Sequence, residues 1–417
     1  MKAPQPTQRP NEGNDAVRPL LVLAPHLQYP TRDGANISVD RLWGELSRFI
    51  SYVDIVGANE FVRYVNGDIS HKETYSNSPR SKISAALRTI FLFSHYNKEK
   101  FVTPAFSQFA CTKALQEKYQ AVVYSYLTTA SIDLPQHHHS LRQYVLSHND
   151  DVKIFTDMRA SSANPAQKLV AYLSERWVRR FGRSCSILRY IHCTEADAAG
   201  WHRAIGPHDY LIGEVGCDLP AGFVDKHEPL KPERPIRLIF VGSLGVRMNF
   251  DAIQYFARRF FPVVHSRLNG ALEIKVIGSN PSPELARFCR SHNFSLHPNV
   301  SDEELDQHFD WADFSILPFE YSNGTKLKLL TSTSRGVPAL MTSAVGGGPG
   351  SDHPLCLISD DPCGWASHID QLRNKGITTK DRHSLFEISK PWSWRSMAER
   401  FFVTELAGVQ MTTPNWQ

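Results

Sequence analysis

Short, continuous apolar runs of strand length alternate with segments of helical period along most of the chain. Residues 19–25 (PLLVLAP) form the first such run, of the kind that fills a parallel sheet buried on both faces. A loop containing Gly34, a helical pattern over 37–49 and a second strand over 52–56 follow, the rhythm that opens a doubly wound sheet. Farther along, 84–93 and 104–119 read as helices, 121–126 and 143–147 as strands, and 166–181 as a basic amphipathic helix. A strand over 186–193, a helix over 195–205 and a short strand over 209–214 complete the first half. The second half alternates more cleanly: strand 237–241, helix 249–268, strand 272–277, helix 282–292, strand 295–296, helix 301–309, strand 314–317 and strand 339–342.

The pattern breaks once, at 219–235 (LPAGFVDKHEPLKPERP), where four prolines and alternating charges mark a linker. With 417 residues, two domains are the expected division. The sequence therefore predicts an α/β protein: a disordered leader over 1–18, a Rossmann-like domain over 19–218, the linker, and a second Rossmann-like domain over 236–385. A helical segment over 386–417 is expected to turn Trp394, Met397, Phe401 and Phe402 back onto the first domain. Two such domains would face each other across a cleft at the C-terminal ends of their strands, where α/β proteins bind ligands.

Charge and cysteine content narrow the function. A net charge of +4 is too small for a dedicated nucleic-acid binder. Seven dispersed cysteines without a CxxC pair suggest free thiols in a reducing compartment and not a zinc site. No apolar run reaches the ~20 residues of a membrane span, and the leader lacks the apolar core of a signal peptide. The expectation is a cytoplasmic protein, at most peripheral to a membrane. Two segments would suit an anionic membrane: 176–181 (RWVRRF) and the apolar-basic stretch 87–101. The competing reading of the first is a helix with its aromatics turned to the core.

The densest chemistry lies in 312–338, ADFSILPFEYSNGTKLKLLTSTSRGVP. A buried strand leads to a glycine-containing loop and then to a helix carrying Lys326 and Lys328. A strand that delivers a loop and a helix N-terminus is a phosphate-binding arrangement. Gly242 and Ser243 follow a strand in the same half. His148 ends a strand in the first half, where capping is the ordinary role. The triplet His137-His138-His139 cannot converge on one ion from a regular element and has no partners at ligand spacing, so no metal site is expected. The run 346–350 (GGGPG) lacks the spacing of a nucleotide-binding fingerprint.

Five segments, in order, resemble retaining family 4 glycosyltransferases of the GT-B fold. They are 29–41 (YPTRDGANISVDR), the pair 195–197 (EAD) and 215–218 (VGCD), 237–253 (RLIFVGSLGVRMNFDAI), 299–318 (NVSDEELDQHFDWADFSILP) and 324–338 (GTKLKLLTSTSRGVP). The resemblance implies metal-independent transfer of a hexosyl group, with retention, from a nucleotide-sugar to a saccharide or lipid-linked acceptor in polysaccharide or glycoconjugate synthesis, with no cofactor. It assigns Gly34, Gly242, Ser243, Arg247 and Lys328 to the donor, Arg247 and Lys328 at its diphosphate, and His148 to the transferred sugar. Lys326 is a further donor-side candidate whose competing reading is a solvated helix face. Thr331 stands where that family carries a glutamate for the ribose. One hydroxyl in place of a carboxylate forfeits a charge-assisted bond worth ~1.5–3 kcal/mol. That departure opens the alternative of a degenerate, non-catalytic member serving as partner of another transferase.

Overall fold

The computed structural model describes residues 18–29, 31, 34–135, 141–185, 188–213, 216–220, 222–231, 233–320 and 326–407. The expected leader up to residue 17, the His137–His139 run and the Gly324 loop lie outside them. The described chain folds into two Rossmann-like sheets, each with helices on its faces. The first has eight strands: β1 (Leu20–Leu23), β2 (Val53–Val56), β3 (Glu60–Val65), β4 (Asp68–Thr74), β5 (Ala121–Ser125), β6 (Arg142–Ser147), β7 (Leu188–His192) and β8 (Tyr210–Ile212). Their order is β4-β3-β2-β1-β5-β6-β7-β8, parallel except for β3 and β4. The second has six parallel strands: β9 (Ile236–Val241), β10 (Leu272–Gly278), β11 (Ser295–Pro298), β12 (Phe314–Leu317), β13 (Ala339–Met341) and β14 (Leu357–Ile358). Their order is β11-β10-β9-β12-β13-β14.

Both sheets place their first strand beside a change of direction in strand order, β1 between β2 and β5, and β9 between β10 and β12. Such switch points open a crevice at the C-terminal strand ends. β1, β5 and β12 are buried along their whole length, as continuous apolar runs require. The antiparallel pair β3–β4 is an addition to the expected plan. Asn66 and Gly67, at φ 52° and 87°, form the turn of this hairpin, a left-handed pair that Asn-Gly adopts readily.

The C-terminal helix Trp394–Phe401 packs on helix Gly34–Leu46 of the first sheet. Phe401 meets Trp43 edge-on at 5.2 Å, and Phe402 stacks on Phe49 at 5.8 Å. The chain thus crosses to the second sheet and returns. Between the sheets, Arg234 clamps the linker to the second one through a paired contact with Asp313 (2.6 and 2.7 Å).

A buried neutral histidine gives this fold a testable acid sensitivity. His95 is fully buried, its Nδ1 accepts from Asn97 N at 3.0 Å, and Phe155 and Trp177 close over the ring. Burial lowers its pKa from 6.5 to about 3. The unfolded chain therefore takes up a proton near pH 6.5 that the folded chain refuses until about pH 3, so stability falls as pH drops through that window. In urea titrations between pH 7 and 5.5, the wild type should lose about 1 kcal/mol more than His95→Asn, which keeps an N-capping acceptor. Equal losses would contradict this account of His95.

Candidate functional site

A cleft of about 1850 Å³ lies between the C-terminal edges of the two sheets. Its second-sheet wall is built on a close approach of two strand ends. Gly278 ends β10 at φ 154°, and a Cβ there would lie 1.6 Å from the carbonyl oxygen of Gly242, just beyond β9. Only glycine permits that contact. Gly242 N donates to Ile277 O (3.0 Å), and Ser279 Oγ donates to Ser243 Oγ (3.4 Å). Asn249 Nδ2 donates to Ser243 O at 2.7 Å, while its buried Oδ1 has no partner among the described residues. Both Gly242 and Asn249 line the cleft.

Lys328, on helix Lys326–Thr333, lies against this floor: a Cβ on Gly242 would come within 3.0 Å of Lys328 Cε. The ammonium group stands 5.4 Å from the centre of the Phe319 ring and has no carboxylate partner among the described residues. Burial lowers its pKa from 10.5 to about 8. A partly desolvated cation with no carboxylate partner among the described residues has the chemistry that suits an anion. On the same helix, Thr331 faces the cleft, but its hydroxyl donates to Leu327 O at 2.7 Å. Ser332, Thr333 and Ser334 likewise spend their hydroxyls on nearby carbonyls.

The first-sheet wall carries His148, just past β6. Its Nε2 lies 2.8 Å from Ser125 Oγ, and its ring packs beside Tyr126 and His26 at 4.5 and 5.6 Å. Burial lowers its pKa to about 4. At neutral pH the ring is uncharged, so it can hydrogen-bond a hydroxyl through Nδ1 but cannot supply positive charge to a phosphate. Tyr126 is held at φ 67°, a costly backbone for a bulky residue, directly beneath this histidine.

The structure brings Gly242, Ser243, Lys328, Thr331 and His148 together on one cleft. Arg247, expected at the diphosphate, is placed elsewhere. It opens helix Arg247–Tyr255, is two-thirds exposed, pairs with Asp251 at 2.7 Å, and is not among the lining residues. Gly34 and Lys326 are the first residues of their helices, and for both only the backbone is described. Four further cations line the cleft, Arg41, Lys153, Arg203 and Arg335, and two of them bear carboxylate partners from other elements. Arg335 pairs with Asp306 (2.7 Å) and donates to Thr331 O, and Arg41 reaches Asp218 (3.6 Å) from the first sheet and Asp302 (4.0 Å) from the second. Sequence reading missed both. The lone signal for Arg335 was its position at the end of the lysine-bearing helix, and Arg41 gave none beyond its place in the 29–41 segment.

Residues 235–375 match the family model described as glycosyl transferases group 1. Solved structures with a similar fold span nearly the whole chain. The apo lipopolysaccharide outer core galactosyltransferase WaaB superposes with a TM-score of 0.52 at 10% identity, covering 94% of this chain and 100% of its own. The catalytic domain of starch synthase IV from Arabidopsis thaliana, bound to ADP and acarbose, gives 0.55 at 13% identity over 93% and 98%. A UDP-forming α,α-trehalose-phosphate synthase from Burkholderia xenovorans, in complex with glucose-6-phosphate, gives 0.56 at 9% identity over 93% and 99%. Comparison with curated proteins finds no match. The chain thus has the GT-B fold, with a group 1 glycosyltransferase-like second half.

Proposed function

We propose that this protein transfers a hexosyl group from a nucleotide-sugar to a saccharide or lipid-linked acceptor, with retention, without a divalent metal, and on the cytoplasmic side of the cell. The observation that carries the proposal is the Lys328 ammonium, without a carboxylate partner among the described residues, against the Gly242–Gly278 floor and across the cleft from the neutral His148. In this reading Lys328, beside the loop after β9, holds the donor diphosphate and stabilises its departure as the sugar gains positive charge. His148 meets a hydroxyl of the transferred sugar as an uncharged hydrogen-bonding group. The first-sheet wall also carries Asp150, Glu195 and Asp197, acceptors suited to the hydroxyls of a saccharide. The fold neighbours bound to ADP with acarbose, or to a sugar phosphate, agree with such ligands.

One observation favours the non-catalytic alternative. Thr331 replaces the expected carboxylate, and its hydroxyl hydrogen is already engaged by Leu327 O, so it offers a ribose only an acceptor lone pair. A thermal-shift screen of nucleoside diphosphates and nucleotide-sugars separates ligand from no ligand. A donor present at a hundredfold excess over its Kd should stabilise the fold by about 2.7 kcal/mol. Selective stabilisation by one nucleotide series supports the donor site, and none by any of them refutes it.

A further inference from the structure

The helix Lys82–Leu92 presents an apolar ridge that the fold does not use. Ile83 and Phe91 are each 75% exposed and Leu87 lies between them at one-turn spacing, while the opposite face buries Ala85 and Thr89. Leu92 is half exposed, and Phe93 follows at 76% exposure. Phe93 also ends the helix at φ 47°, a left-handed position where glycine or asparagine is the favourable choice. A bulky aromatic placed there, in solvent, contributes nothing to folding.

Over residues 80–101, which contain the ridge, the chain carries Arg80, Lys82, Arg88, Lys98 and Lys100 against the single carboxylate of Glu99. Glu99 is buried and already engaged by Arg88 (2.8 Å) and Lys98 (3.9 Å). Lys100 is lowered by burial and then by the charge of Lys82, and Arg80 by burial and then by Arg88. One carboxylate thus serves several cations, and the segment keeps an excess of positive charge. The basic segment 176–181 is a different case. Trp177 stacks on Phe181 at 4.5 Å and meets the buried His95 at 5.5 Å, so its aromatics belong to the interior.

We infer that the Lys82–Phe93 ridge docks the protein onto an anionic lipid bilayer, lying in the plane of the interface with its apolar side chains among the headgroups and acyl chains. An amphipathic helix with protruding aromatic and aliphatic residues inside a basic ring fits such a surface. Among the described residues no helix is long and apolar enough to cross a membrane, so the attachment is in-plane and reversible. This inference does not depend on the glycosyl-transfer reading.

Vesicle co-sedimentation tests it. The full chain should partition onto phosphatidylcholine vesicles containing one-third phosphatidylglycerol, at least tenfold more than onto phosphatidylcholine alone, and less at high salt. Ile83→Ser/Phe91→Ser/Phe93→Ser should abolish partitioning while leaving the melting temperature and any nucleotide-induced stabilisation unchanged. Lys82→Glu, a change of two charges, should weaken it by roughly tenfold or more. Equal partitioning of the triple variant, no preference for anionic vesicles, or no partitioning would each overturn the inference. So would a concentration-dependent dimer in sedimentation that the triple variant abolishes, because the ridge would then cover a second copy.

Discussion

Replacing Lys328 with alanine should cut affinity for the nucleotide donor by roughly 10- to 100-fold, the equivalent of one charge-assisted hydrogen bond of ~1.5–3 kcal/mol. The same change should not lower the melting temperature. Lys328 has no carboxylate partner among the described residues, and burial already pulls its pKa down to about 8. Removing it relieves a desolvated charge at the cost of a ligand contact, the usual opposition of stability and function at a binding site. The sign of the pH dependence follows. A bound diphosphate favours the protonated amine, so affinity should be complete below about pH 8 and fall as pH rises above it. Alanine at this position should flatten that profile. Calorimetry at pH 7 and pH 9 with both proteins measures it, and an unchanged affinity in the variant would remove Lys328 from the site.

The second large effect is on the fold. Gly278→Ala should cost more than ~4 kcal/mol or prevent accumulation of folded protein, because its Cβ collides with a backbone oxygen and not with a movable side chain. Gly206→Ala is the control. Gly206 also has a positive φ, 91°, but nothing lies within 4 Å of the added atom. Backbone strain alone should cost this variant about 1–3 kcal/mol. The difference between the two in denaturant titrations isolates the strand-end contact that shapes the cleft floor. Similar losses would show that the contact is not rigid.

The parts of this architecture legible in the sequence are those written by local rules. Buried parallel strands such as LLVL and FSIL appear as unbroken apolar runs, and the glycine and serine after β9 mark a turn at a strand end. Asp68–Thr74 was hidden for the opposite reason. It is an edge strand whose side chains are almost all exposed, so it carries no apolar alternation, and only its Asn66-Gly67 turn announces it. Helix Asp151–Ser161 buries only Val152 and Phe155 of its apolar residues, a short stripe among charged positions that the sequence pattern does not mark as a helix.

In the site, the sequence order of the motifs identified Lys328 and Gly242, whose contact depends on backbone geometry shared by the fold. It could not orient Arg247, whose direction is decided by Asp251 one turn along its own helix and by the nearby Glu284. Nor could it find Arg41, whose carboxylate partners come from the segment before the linker and from the second domain. Thr331 was legible as a departure. That its hydroxyl is turned back onto the helix is a tertiary fact.

The central claim is that this cleft moves a sugar. Its most direct measurement is nucleoside diphosphate release from the donor that stabilises the protein, followed with and without a panel of saccharide and lipid-linked acceptors. The account predicts acceptor-stimulated release by the wild type, a product that retains the donor's anomeric configuration, and release reduced by at least tenfold in Lys328→Ala. Binding of the donor with no release under any acceptor would contradict transfer and leave a protein that holds a nucleotide-sugar without using it.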